Sequence, residues 1–258
     1  MVRMRAGLLA TACLMAGSAS ASTFNIVFEL PVAPSDSQAA ILADAAFFWE
    51  YFVTGYQTGI SVDALTIEVG AYEFDGPDGI LAETSIAEVS VQEGFTLPEA
   101  AFIDFDLADL DWLEVTDELF GVLVHEIAHA MGFGSLWIEN GVYEAASGAY
   151  LGAAGLAAYR AEFDPSADFV PVELDFGPGT ADAHWAETWA GGPNALMTGF
   201  NDPPLYISRT TIASFRDLGY TIAPIPLPSG MWLSLGALAF LGSVAGRRRL
   251  EPQAAIRV

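Results

Sequence analysis

Two histidines four positions apart, with a glutamate directly after the first, are the residues of this chain most able to do chemistry: His125-Glu126-Ile127-Ala128-His129. In a helix, positions four apart stack on one face, so both imidazoles can grip one metal ion. Glu126 then sits about 100° around the helix from His125, where it can reach a metal-activated water without entering the ligand set. The spacing suits zinc. A zinc that works on a substrate usually has three protein ligands and one open position. The chain contains only one more histidine, His184, in Ala183-His184-Trp185, and Met197 follows it in Ala195-Leu196-Met197-Thr198-Gly199. His184 is therefore the expected third ligand. A carboxylate such as Glu139, Glu144, Asp182 or Glu187 could serve instead, which would leave His184 without a role.

These residues need elements to hold them. Thr116 is a candidate N-cap for the histidine helix, with Asp117 and Glu118 at its positive end and Val115 with Phe120 as an apolar pair bracketing the cap. Leu119, Leu123 and Ile127 form a stripe for the core, and Gly132 supplies the left-handed turn that ends the helix. Upstream, 24–30, 62–69, 81–91 and 101–105 read as strands and 75–79 as a turn. Residues 35–53 read as an amphipathic helix, with Ile41, Ala45, Phe48 and Phe52 at helical spacing. This order predicts an α+β fold. After Gly134 the chain is rich in Gly, Ala and Pro, which predicts loops with short helices. Trp137, Trp185 and Trp189 read as packing residues. Asp104, Asp106, Asp109 and Asp111 lack the glycine and final glutamate of a calcium loop and read as a solvated face.

Composition narrows the partners. The 258 residues carry 33 acids against 9 bases, all arginine, for a formal charge of −24. Such a body repels phosphate backbones and anionic lipids, so nucleic acid is excluded as a partner. Solubility is the simple reading of the acid excess; a calcium requirement is the sharper one. Cys13 is the only cysteine and lies in the N-terminal apolar stretch, so the rest of the chain cannot form an internal disulfide.

Both ends read as sorting signals. Residues 1–21 have a basic start, an apolar run from Ala6 to Gly17 and Ala19-Ser20-Ala21, the pattern cut by signal peptidase after Ala21. From 224 to 258, a proline-rich stretch precedes an apolar run at 231–246 and then Arg247-Arg248-Arg249. At about 1.5 Å per residue that run spans about 24 Å, usable as a transmembrane helix with flanking residues. The triple arginine should stay cytoplasmic, with the body on the far side of the inner membrane.

His125-Glu126-x-x-His129-x-x-Gly132 resembles the opening of the metzincin zinc-peptidase motif, with Ser135 where the usual third histidine stands. A long insertion before His184, then Leu196-Met197-Thr198-Gly199-Phe200, resembles the leishmanolysin family. So do Gly132-Phe133-Gly134-Ser135-Leu136-Trp137, Gly179-Thr180-Ala181-Asp182-Ala183-His184-Trp185 and the stretch from Thr211-Ile212 to Asp217-Leu218-Gly219-Tyr220. The resemblance covers most of 115–221. It implies a zinc metallopeptidase domain over 22–223, with a twisted mixed sheet and two helices in an upper subdomain (22–134) above an irregular lower one (135–223). Zinc would lie at the floor of a cleft on His125, His129 and His184, with Met197 beneath it as the Met-turn and Glu126 as general base for peptide-bond hydrolysis. The sheet edge beside the cleft would take a protein or peptide substrate in extended form. Tyr206 is a candidate oxyanion stabiliser. Latency by a cysteine thiolate cannot carry over to a body without cysteine.

Ile225-Pro226-Leu227-Pro228-Ser229 resembles the signature of the PEP-CTERM type of tail in its Val-Pro-Leu-Pro-Ala variant, which an exosortase recognises. That implies an exported protein of the cell surface or matrix, at least transiently anchored in the membrane. The alternative is a non-catalytic, zinc-holding surface or matrix protein that binds a partner.

Overall fold

The computed structural model describes residues 23–224; the expected signal peptide at 1–21 and the tail beyond 224, with its apolar segment 231–246, lie outside the described residues. A short strand β1 (Ile26–Glu29) leads into helix α1 (Asp36–Phe52). Ser35 starts that helix by a reciprocal cap: its hydroxyl accepts the Gln38 N–H, and the Gln38 side chain accepts the Ser35 N–H. Leu42, Ala45, Phe48, Trp49 and Phe52 make its buried stripe, close to the spacing expected from sequence. The chain passes straight into β2 (Val53–Tyr56), then β3 (Leu65–Tyr72), β4 (Ala82–Gln92) and β5 (Phe95–Asp106).

The main sheet has the order β1-β3-β5-β4. β1, β3 and β5 run parallel, and β4 lies antiparallel to β5 at the edge. The turn between β4 and β5 is Glu93-Gly94, both left-handed at φ 51° and 86°, the backbone a tight hairpin needs. Ile26, Leu65, Ile67, Ala101 and Ile103 fill the covered face of the sheet. The other face exposes Val27, Tyr72 and Phe102 and carries Glu29 beside Glu68 and Glu83 beside Asp104. Partial burial, then repulsion from Glu83 and Glu68, raises the Asp104 carboxyl above its ordinary range.

Two helices follow β5 where one was expected. α2 (Leu107–Val115) begins on Asp106, whose carboxylate accepts the Ala108 N–H, and α3 (Leu119–Ala130) carries the histidines. Residues 22–134 thus hold three helices, not two. Thr116 is not the N-cap of α3: its hydroxyl donates back to the Trp112 carbonyl and closes the end of α2. Asp117 takes a left-handed φ of 63°, Val115 is exposed, and α3 starts at Glu118 without a side-chain cap. Ten of the twelve residues of α3 are buried, so packing on β4, β5 and α1 holds it in place of a cap. The aspartates expected on a solvated face divide: Asp111 is exposed and Asp104 half-buried, but the other two are not solvated. Asp106 and Asp109 are buried and accept backbone N–H groups from the 75–78 turn, at Asp75, Gly76 and Asp78.

Beyond Gly134 the regular elements are short: β6 (Ala149–Tyr150), α4 (Ala153–Glu162), β7 (Val170–Pro171), α5 (Arg209–Ser214), a 3-10 turn at Phe215–Leu218 and β8 (Tyr220–Ile222). β6 pairs with β7, and β8 returns to pair antiparallel with β2. An aromatic stack centres this part: Trp185 lies 5.1 Å from Trp137 and 5.7 Å from Trp189 between ring centroids. The three tryptophans pack as expected. The fold is mixed α+β, with five α-helices and a mixed sheet among the described residues. No helix among them is long and apolar enough to cross a membrane.

Candidate metal centre

The end of α3 sets the geometry. The Phe133 N–H bonds the Ala128 carbonyl at 3.0 Å and the Gly132 N–H bonds the His129 carbonyl at 2.9 Å, the paired closure that a left-handed residue after a helix allows. Gly132 is that residue, at φ 102°, as its place in the sequence implied. The closure swings the Phe133 carbonyl to 2.8 Å from His129 Nδ1. Two residues on, Gly134 lies against the segment that carries the third histidine: a Cβ there would be 2.2 Å from the Ala183 carbonyl oxygen.

His184 reaches the helix histidines. The three Nε2 atoms form a triangle with every edge 3.0 Å. Each Nδ1 faces a backbone carbonyl instead: His125 that of Leu196 at 2.6 Å, His129 that of Phe133, and His184 that of Thr180 at 3.0 Å. A carbonyl has no proton to give, so each Nδ1 carries the hydrogen and each Nε2 turns a lone pair inward. Three lone pairs at this separation repel one another unless a cation lies among them. Nitrogens bound at about 2.1 Å around one tetrahedral ion lie about 3.4 Å apart, so the triangle is of the size a single ion needs. Burial, then the neighbouring imidazoles, holds His129 well below the ordinary histidine range and lowers His184 to about 3. Both stay neutral, as ligands must. These three histidines can hold a metal ion. Among the described residues they are the only group of three or more His, Cys, Asp or Glu side chains that converges in this way, so no acidic cluster there supports the calcium expectation.

Glu126 is also buried, one position along α3. Its Oε2 accepts the Thr84 hydroxyl at 2.7 Å, and that hydroxyl lies 3.1 Å from the Glu126 carbonyl. Burial pushes the carboxyl up, with His125 and the Thr84 hydrogen bond pulling the other way. Thr84 belongs to edge strand β4, so the sheet edge and the glutamate are tied together. A cleft of about 1000 Å³ opens over the histidines and Glu126, walled among others by Glu83, Thr84, Trp112, Phe176, Phe200 and Asp202.

The carboxylate alternatives to His184 are elsewhere. Glu139 and Glu144 are exposed. Asp182 accepts the Tyr143 hydroxyl and the Ala146 N–H, and Glu187 accepts the Gly199 N–H at 2.8 Å. Met197 is fully buried, and its carbonyl accepts the Trp185 N–H at 2.9 Å, which joins its turn to the segment of His184. Tyr206 does not line the cleft; its hydroxyl donates to the Gly191 carbonyl at 2.5 Å, so it is not placed to stabilise an oxyanion. Sequence reasoning missed Thr84 and the three carbonyls that orient the imidazoles. Gly134 carried a visible signal, a second glycine two residues past Gly132. In comparisons with known proteins, no family model and no curated protein matches this chain.

Proposed function

We propose that this chain is an exported zinc-dependent endopeptidase of leishmanolysin-like, metzincin type, with the sheet and α3 above the cleft and the loop-rich part below. What supports the reading is one juxtaposition: three inward-turned Nε2 atoms in a triangle of 3.0 Å edges, with a buried carboxylate one residue from the first of them, at the floor of an open cleft. A site built only to hold metal usually fills its fourth position with a protein ligand and has no use for such a carboxylate.

His125, His129 and His184 would hold the ion. Zinc bound there supplies Lewis-acid polarisation of a carbonyl and a more acidic water. Glu126 takes the proton of the attacking water on one carboxylate oxygen and returns it to the leaving amine. Thr84 fixes the other oxygen. Edge strand β4 offers backbone groups for an extended peptide. Export by the signal at 1–21 and anchoring by the segment 231–246, followed by exosortase sorting, complete the reading.

Digestion of casein by the tail-bearing protein, with and without chelator, tests it. Activity should vanish with chelator and return with zinc. Glu126→Gln should keep its zinc and lose about 10³-fold or more in rate, in line with loss of a general base. His184→Ala should lose zinc as well. If Glu126→Gln digests casein like wild type, the assigned role is wrong; one bound zinc without proteolysis in the wild type would favour the partner-binding alternative.

A further inference from the structure

The outer side of α1 has no partner among the described residues. Ala39, Ala43, Phe47 and Tyr51, four positions apart, share it, and all four are exposed. Phe47 is 66% and Tyr51 63% accessible, with ring centroids 6.5 Å apart. Two such aromatics side by side on a helix are an uncommon surface for a chain this acidic. Their position relative to the chain's exit identifies what covers them. β8 runs back along β2, the Thr221 and Thr54 hydroxyls meet at 3.2 Å, and the Ala223 N–H bonds the Phe52 carbonyl at 2.8 Å. The described chain therefore ends at the C-terminal end of α1, one residue from Tyr51 and about one turn from Phe47.

Only residues 225–230, with prolines at 226 and 228, separate this point from the apolar run 231–246. Six residues of any conformation reach at most about 20 Å. Whatever holds the apolar run holds this end of α1 close by.

We infer that the face of α1 centred on Phe47 and Tyr51 is a membrane-contact surface, seated in the headgroup region of a zwitterionic bilayer while the tail is inserted. The inference rests on the anchoring reading above. Tyrosine and phenylalanine suit that region, where an apolar ring and a polar rim meet. The charges decide the lipid. Asp44 is exposed on the same side, Glu50 is half-buried with its carboxylate accepting the Ile26 N–H, and no lysine exists anywhere in the chain to offset them. Anionic headgroups repel such a surface, whereas phosphatidylcholine does not.

The body's lack of cysteine allows a clean test. In the tail-bearing protein inserted into phosphatidylcholine vesicles, a fluorophore is placed on Ala43→Cys or, as control, on Val91→Cys, which is 72% accessible on strand β4. The label at 43 should be quenched by spin-labelled lipid and show at least threefold less quenching by iodide than the label at 91. Adding phosphatidylglycerol, or the changes Phe47→Asp and Tyr51→Asp, should remove the difference while casein digestion stays unchanged. Equal iodide access at 43 and 91, with the tail resisting carbonate extraction, overturns the inference and leaves anchoring intact. A tail extracted by carbonate overturns both.

Discussion

The two parts of the molecule reach the same centre by different means. Residues up to Gly134 deliver His125 and His129 on a helix buried on almost every side, where the i, i+4 rule fixes their relation before any other contact forms. Residues after Gly134 deliver His184 on irregular chain, and everything that aims it is particular: the Thr180 carbonyl, the bond from Trp185 to Met197, and the narrow passage at Gly134. Regular structure places a ligand by repetition. Irregular structure places it by a few exact fits, each of which can be broken singly.

That contrast can be broken most sharply at the two glycines. Gly134→Ala puts a methyl on the Ala183 carbonyl at a φ of 72°, so the segment of His184 must move; metal affinity should fall about 10- to 100-fold, as when a supporting group of a metal ligand is lost. Gly132→Ala meets nothing nearer than 3.4 Å and should cost about 1–2 kcal/mol of stability from backbone strain, with metal affinity nearly kept. Competition with a chromophoric chelator, beside urea unfolding, separates the two.

Thr84→Val tests the link between sheet edge and carboxylate. On the proposed peptidase reading, loss of one hydrogen bond of about 1–1.5 kcal/mol predicts a fall in kcat of about tenfold, with KM and bound metal unchanged and Thr84→Ser restoring the rate. A rise in KM alone would make Thr84 a substrate contact.

The metal-free protein should lose stability on acidification from pH 6.5 to 5. An unfolded imidazole takes a proton near pH 6.5, whereas buried His184 does not until about 3, and His129 is lowered in the same direction. The unfolded state then binds more protons, so stability falls as pH falls, by up to about 1.4 kcal/mol per pH unit for each imidazole. Urea midpoints across this range read it, above the window where most carboxylates titrate.

The smallest effects belong to the helix starts. Ser35→Ala should cost about 1 kcal/mol through loss of the reciprocal cap, and Thr116→Ala about half that or less, because Thr116 begins no helix.

Much of this was legible in the residues. The four strands of the main sheet, α1, the core stripe of α3 and the three histidines follow from periodicity, spacing and the scarcity of histidine, whereas β2 and the short strands after Gly134 were not foreseen. What escaped depends on who reaches a group first. Thr116 looked like a cap, but a hydroxyl at the end of one helix bonds backward as readily as it caps the next. Asp106 and Asp109 looked like solvated acids, and the backbone N–H groups that bury them come from some thirty positions earlier. Thr84 is one polar residue in an alternating strand, and nothing along the chain marks it as the partner of Glu126.

The histidine triangle has a mechanical side. His129 and His184 are 55 positions apart, so an ion held by both fastens a long loop shut. A covalent bridge of that span would restrain the unfolded chain by about 4 kcal/mol, and no cysteine after Cys13 is present to make one. A metal ion held there would act as a removable staple whose grip varies with metal supply. Where that metal is scarce, the loop from 135 to 183 should open more readily, which limited proteolysis with and without chelator would read.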